Sequence, residues 1–167
     1  MCTGIGQYAF GYFIEPLEQT FGWSRTEISA SLSFAAVTGL AAPFFGRAMD
    51  RYGARPILVI SLTLCGLSLV LRPLMSELWH WYALSFLQFV AVAGATILPM
   101  GKLIGTWYPQ RRGRVMAIGV MGNNFGGLIV PGLVAVVLTY ATWREGFVAV
   151  GLLTWVIVLL AWWVVRE

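Results

Sequence analysis

The sequence predicts an all-α membrane protein built from six transmembrane helices. Of its 167 residues, 59% are hydrophobic and only 11% are charged, a balance that water solvates poorly. The apolar residues gather into runs close to the roughly 20 residues that a helix needs to cross a bilayer, with short polar breaks between them. The runs are continuously apolar, whereas the strands of a membrane barrel would alternate over about ten residues.

The spans fall at 1–19, 26–45, 56–75, 79–105, 113–140 and 145–165, and together they make residues 1–167 one transmembrane bundle. The first span is short. Glu15 interrupts it after 14 residues, which cover about 21 Å of a hydrocarbon core about 30 Å thick. The first helix is therefore expected to be truncated: either its end snorkels, or, the favoured reading, the chain is a fragment lacking an upstream half-helix. The leading residues have no basic region and end in Glu15 and Glu18, so no cleavable signal peptide fits them. In the second span Ser31, Ala35 and Gly39 form a small face for close helix packing, as do Gly101 and Gly105 in the fourth and Gly122 and Gly126 in the fifth. The third and sixth spans, PILVISLTLCGLSLVL and GFVAVGLLTWVIVLLAWWVV, carry almost no polar groups and are expected outermost against lipid. Trp162 and Trp163 then join an aromatic belt. Pro99 and Pro131 lie inside spans, where a lost backbone hydrogen bond permits a kink.

Polar groups in hydrocarbon are costly, so their depth is informative. Counted from the span ends, Gln7, Gln88, Asn123 and Asn124 all lie near the bilayer midplane, the depth at which transporters hold solutes. In the fourth span Gln88, Ala95 and Lys102 recur every seven residues beside Ala91 and Pro99, a small polar face suited to a water-filled path. The competing reading is that these amides hydrogen-bond between helices; the shared depth favours solute contact for at least one of them. Lys102, low in its span, reads as a snorkelling interfacial lysine.

Charge gives the orientation. Arg47, Arg51, Arg55, Lys102, Arg111, Arg112, Arg114 and Arg166 fall on one side of the spans, and only Arg25, Arg72 and Arg144 on the other. The positive-inside rule puts both termini and the break at 46–56 in the cytoplasm. Arginines at span ends are a topology signal, so the net charge of +4 calls for no nucleic acid. Cys2 and Cys65 fall inside spans without metal-ligand spacing, and neither a disulfide nor a metal site is expected. His80, the single histidine, sits near the outer end of the fourth span with an interfacial role. No nucleophile–base pair accompanies it, so neither an enzyme nor a cofactor is expected.

GRAMDRYGARP, residues 46–56, resembles the loop between the second and third helices of the major facilitator superfamily, G-x-x-x-D-R-x-G-x-R, with Gly46, Asp50, Arg51, Gly53 and Arg55 in its fixed places. FGWSRTEIS at 21–29 resembles the start of the second helix in the monocarboxylate and oxalate/formate transporter branch. WYPQRRGRVMAIGVMGNNFGG at 107–127, with its basic Arg111, Arg112 and Arg114, is similar to that branch's join between helices four and five, and ATWREGF to its join between five and six.

The resemblance implies a six-helix N-terminal bundle of two inverted three-helix repeats, whose C-terminal partner bundle is absent. It implies a secondary transporter of the cell (inner or plasma) membrane that carries a small organic anion, such as a monocarboxylate, by rocking-bundle alternating access, with a proton or counter-anion coupled. The first and fourth helices would line the solute path, with Gln7, Tyr8, Gln88, Asn123 and Asn124 as candidates, and the third and sixth would face lipid. The fourth-helix arginine of proton-driven drug exporters is replaced by Gln88, and Pro131 does not directly follow Gly126 or Gly127 as the exporter pattern asks. The carboxylate branch's substrate cations lie mainly in the absent half. Asp50, at a helix end that disfavours anions, needs a partner. Arg51 and Arg55 are near in sequence, and in the family the opposite bundle also meets it. It then acts as a latch between conformations; the plainer reading is surface ion pairs worth about 0–1 kcal/mol each. The alternative function is a half-size membrane subunit, or interaction partner, without transport of its own.

Overall fold

The computed structural model describes residues 10–95 and 97–164, and its regular elements are all helical. Helix α1 spans Phe10–Phe21, and α2 (Arg25–Ala30) continues through a 3-10 turn at Ser31–Phe34 into α3 (Ala35–Tyr52). Helix α4 (Ala54–Val70) is followed by a second such turn at Arg72–Leu74. Then come α5 (Leu78–Ala95), α6 (Ile97–Trp107), α7 (Arg112–Tyr140) and α8 (Trp143–Val164). Five helical segments among the described residues are long and apolar enough to cross a membrane: Arg25–Tyr52, Ala54–Leu74, Leu78–Trp107, Arg112–Tyr140 and Trp143–Trp163. The first span is described only from Phe10, as a 12-residue helix containing Pro16.

Two of the helix starts share one device. The Ser24 amide donates to Glu27 Oε2 at 2.8 Å and the Glu27 amide donates back to Ser24 Oγ at 3.2 Å. Thr142 and Glu145 repeat the exchange at 2.8 and 3.5 Å ahead of α8. Each reciprocal pair satisfies amides that a helix leaves without partners in its first turn.

The charged break at 46–56 is not a loop. Helix α3 runs on to Tyr52, seven residues past the expected end at 45, and α4 begins at Ala54. Gly53 alone separates them, at φ 90° and ψ 163°, a conformation essentially confined to glycine. The helix can carry its charges because Asp50 and Arg51 lie on an exposed face while Met49 is turned inward. Polarity marks the membrane boundary here, not the end of the helix.

The third span is also not outermost. Helix α4 packs between α5 and α8 and buries Ser61, Leu62, Cys65, Gly66, Ser68 and Leu69. It is nearly free of charge because protein surrounds much of it. The sixth span does expose Leu152, Val156, Leu159, Trp162 and Trp163 along one side.

Several tight crossings use glycines outside the expected faces, while Gly126 of the expected face on α7 is buried. A Cβ built on Gly151 would stand 2.5 Å from Val70 Cγ2 and 3.2 Å from the Gly66 carbonyl oxygen, and one on Gly66 would meet Trp155 at 2.5 Å. Gly94 lets α5 approach Phe45 in the same way. Gly39, Gly101, Gly105 and Gly122 face open space, with nothing within 4 Å of where a Cβ would stand. Small-residue spacing identifies a smooth face; whether a neighbour occupies it depends on the packing of the whole bundle.

Candidate functional site

The centre of the bundle is organised around Arg72. The 3-10 turn after α4 sends this side chain back between the helices, and the residue is only 5% exposed. Its guanidinium carbon lies 4.3 Å from the Trp81 ring centroid and 4.9 Å from that of Phe147, within range of cation–π attraction. Nη2 donates to Gln88 Oε1 at 2.6 Å and lies 3.4 Å from Ser85 Oγ. Nε is buried without a hydrogen-bond partner.

The surrounding aromatic groups are themselves fixed. Trp81 Nε1 donates to the Ile28 carbonyl at 3.2 Å, which ties α5 to α2. Phe147 stacks on Phe13 of α1 with centroids 4.0 Å apart. Trp81, Ser85 and Gln88 stand at helical spacings of four and three on one face of α5, and that face is buried. Beside the guanidinium is a cavity of about 10 Å³, close to the volume that one water needs, bounded by Phe10, Phe13, Ser31, Leu32 and Phe89 as well as by the residues just named.

A buried cation normally pairs with a carboxylate, because removing it from water costs several kcal/mol. Neither ion pair found among the described residues includes Arg72. Among the described residues the guanidinium is held by neutral oxygens and by ring faces, and no carboxylate compensates its charge.

Arg72 had counted as one of three outer-side charges in the sequence, since hydropathy places a residue at a span end but does not give the direction of its side chain. A usable signal was present in the 81, 85, 88 spacing, which sets an indole, a hydroxyl and an amide on one face opposite Arg72-Pro73. The arginine that resemblance found missing from the fourth helix has a counterpart in space: a guanidinium from the third span lies against Gln88.

Of the other midplane candidates, the one whose side chain is described, Asn124, does not join this cluster. Asn124 is exposed and lines a separate open cavity of about 240 Å³ with Met121, Phe125 and Leu128 of α7. Gln7, Tyr8 and the side chain of Asn123 lie outside the described residues. The face carrying Gln88, Ala91 and Pro99 is packed inside the bundle, not on an open path.

A second polar cluster holds the end of α3. Asp50 Oδ1 is 3.1 Å from Lys102 Nζ of α6, and the same ammonium donates to the Met49 carbonyl. Lys102, expected to snorkel, instead bridges two spans. Arg51 and Arg55 are not the partners of Asp50: Arg51 lies over the neighbouring Tyr52 ring at 5.3 Å. Arg55 donates to the Trp162 carbonyl at 2.6 Å and sits 4.4 Å above its indole. Continued helix explains this, since successive side chains diverge around α3 and Arg55 belongs to α4. Gly46 is half-buried within α3, and Arg111, Arg112 and Arg114 are exposed around the start of α7.

The family model of the Major Facilitator Superfamily matches residues 1–167. The chain belongs to the Major Facilitator Superfamily. Superfamily members carry small-molecule solutes and sit in the lipid bilayer, and the chain is accordingly an integral membrane protein. It is 25% identical to the inner membrane transport protein YnfM of Escherichia coli (strain K12), over 99% of this chain and 41% of that protein. It is 30% identical to the fujikurins efflux protein of Gibberella fujikuroi, over 87% of this chain and 30% of the relative. A probable L-galactonate transporter of Escherichia coli (strain K12) is also 30% identical, over 82% and 30%. The chain thus spans between about a third and two-fifths of the length of these superfamily relatives.

Proposed function

We propose that the chain is the N-terminal bundle of a secondary transporter that carries a small organic anion across the cell (inner or plasma) membrane by alternating access. One observation carries the choice of an anion: a buried guanidinium held by ring faces and neutral oxygens, with no carboxylate to neutralise it among the described residues. A membrane protein retains such a costly charge where it contacts a solute or a coupled ion. The likeness to a probable L-galactonate transporter supports an anionic solute, and the likeness to the monocarboxylate branch at 21–29 and 107–127 favours a monocarboxylate. A proton or a counter-anion supplies the driving force. Gln88, Asn123 and Asn124, together with Gln7 and Tyr8, line the path in this reading.

Both termini face the cytoplasm, as the span-end arginines argue. Asp50 then lies on the cytoplasmic side, where its contacts favour one conformation over another. Uptake of radiolabelled organic anions by the full-length protein in proteoliposomes tests the reading; transport of neutral solutes alone would sink it. The second reading, a half-size subunit that acts through a partner, draws on the apolar outer face of α7, where Ile118, Met121, Phe125 and Leu128 are exposed. Cross-linking from that face in membranes distinguishes a protein partner from lipid.

A further inference from the structure

We infer that Arg72 is a specificity-determining ligand for the solute's carboxylate and that Gln88 holds its place while the site is empty. The inference rests on the organic-anion reading above and assigns it a cation within this bundle.

A guanidinium offers five N–H donors in a planar fork suited to two parallel bonds with a carboxylate. In the described structure Nη2 is spent on an amide oxygen and a distant hydroxyl, and the buried Nε is spent on nothing. That is an under-used donor set in a place where unused donors are costly. Gln88 Oε1 accepts at 2.6 Å as one carboxylate oxygen would, but a neutral amide oxygen cannot offset the charge. A solute carboxylate does both. The exchange is chemically simple: the carboxylate takes the bond from Nη2, and the Gln88 amide is released to donate its own N–H to the incoming oxygen.

Trp81 and Phe147 keep the guanidinium from following the solute or turning to water, so the fork stays fixed. The cavity's present volume of about 10 Å³ admits no organic solute, so opening must move a wall. Phe10 and Phe13 are the walls contributed by α1. The remaining lining sets the chemical class. Among the described residues it has one cation, and its walls are mainly aromatic and aliphatic, with Ser31, Ser85 and Gln88 as the other polar groups. This suits a monocarboxylate with a compact apolar body better than a dicarboxylate or a sugar acid.

The experiment compares uptake of isovalerate, its neutral analogue isovaleramide, and gluconate by the full-length protein in proteoliposomes, for the wild type, Arg72→Gln, Arg72→Lys and Gln88→Glu. The wild type is expected to take up isovalerate in preference to both others. Arg72→Gln should weaken isovalerate recognition by at least about tenfold, the effect of losing a charge-assisted bond, and Arg72→Lys should retain part of it. Gln88→Glu is the decisive variant: it preserves volume and gives Arg72 an internal carboxylate, so thermal unfolding should be unchanged or raised while isovalerate uptake is lost. Undiminished uptake by Arg72→Gln or folded Gln88→Glu overturns the inference and leaves anion transport standing. Equal uptake of isovaleramide by the wild type overturns it as well. Wild type that takes up neither isovalerate nor gluconate overturns both this assignment and the organic-anion reading beneath it.

Discussion

A methyl group added at Gly151 would have to displace Val70, and it would also press on the Val70 amide nitrogen and the Gly66 carbonyl, both 3.2 Å away and both backbone. Side chains can rotate out of such a contact; backbone inside a helix has little freedom to do so. Gly151→Ala is therefore expected to destabilise the bundle by about 1–3 kcal/mol, read as a lower thermal unfolding midpoint in detergent. Gly122→Ala, with nothing within 4 Å, is expected to leave the midpoint unchanged or slightly raised through better helix propensity. Equal effects would disprove this account of the α4–α8 crossing. At Ser24 the change to Ala removes the acceptor for the Glu27 amide and should cost about 1 kcal/mol.

The elements were legible to different degrees, and the causes are physical. Hydropathy anticipated the five helices that are long and apolar enough to cross a membrane, because the cost of exposing backbone to lipid forces long apolar helices. It misplaced the end of the second span because residues 46–52 are polar, and polarity alone does not distinguish a loop from a helix emerging into water. Asp50 and Arg51 ride on such an emerging face. The turn itself was visible as Gly53 in the charged motif, although not as the sole unwound residue. Gly53→Ala, forced into a region open essentially to glycine, should cost about 1–3 kcal/mol. Circular dichroism melting of the variant measures it; an unchanged midpoint would mean that α3 and α4 can join in another way. The candidate site was half legible for a related reason: Gln88 stood out as a polar residue in an apolar run, while Arg72 looked ordinary at a span end. Burial of a long side chain depends on which neighbours receive it, and Phe147 lies far along the chain.

On the scale of the whole molecule, the contacts that connect spans that are not consecutive include Asp50–Lys102, which joins the second to the fourth, and Arg55–Trp162, which joins the third to the sixth. The Asp50 side chain is 79% exposed and that of Lys102 is 37% exposed, so water screens the pair and its contribution to stability is expected to stay below about 1 kcal/mol. Asp50→Asn should thus melt near the wild-type temperature while changing transport, if Asp50 biases the alternating conformations. A large loss of stability with normal transport per folded molecule would make the pair a structural clamp. Arg55→Lys should retain charge but lose stacking area on Trp162 and lower the unfolding midpoint modestly.

The Arg72 cage has a consequence for biogenesis. Its walls come from the first, second, fourth and sixth spans, whereas the charge belongs to the third. When the ribosome has delivered only the third span, this guanidinium has no dry berth, and its most favourable position is at the headgroup boundary. Trp81 arrives soon afterwards and Phe147 only with the sixth span. The charge can settle fully only once that span has inserted, so the centre of the bundle is assembled late although half of its parts are made early.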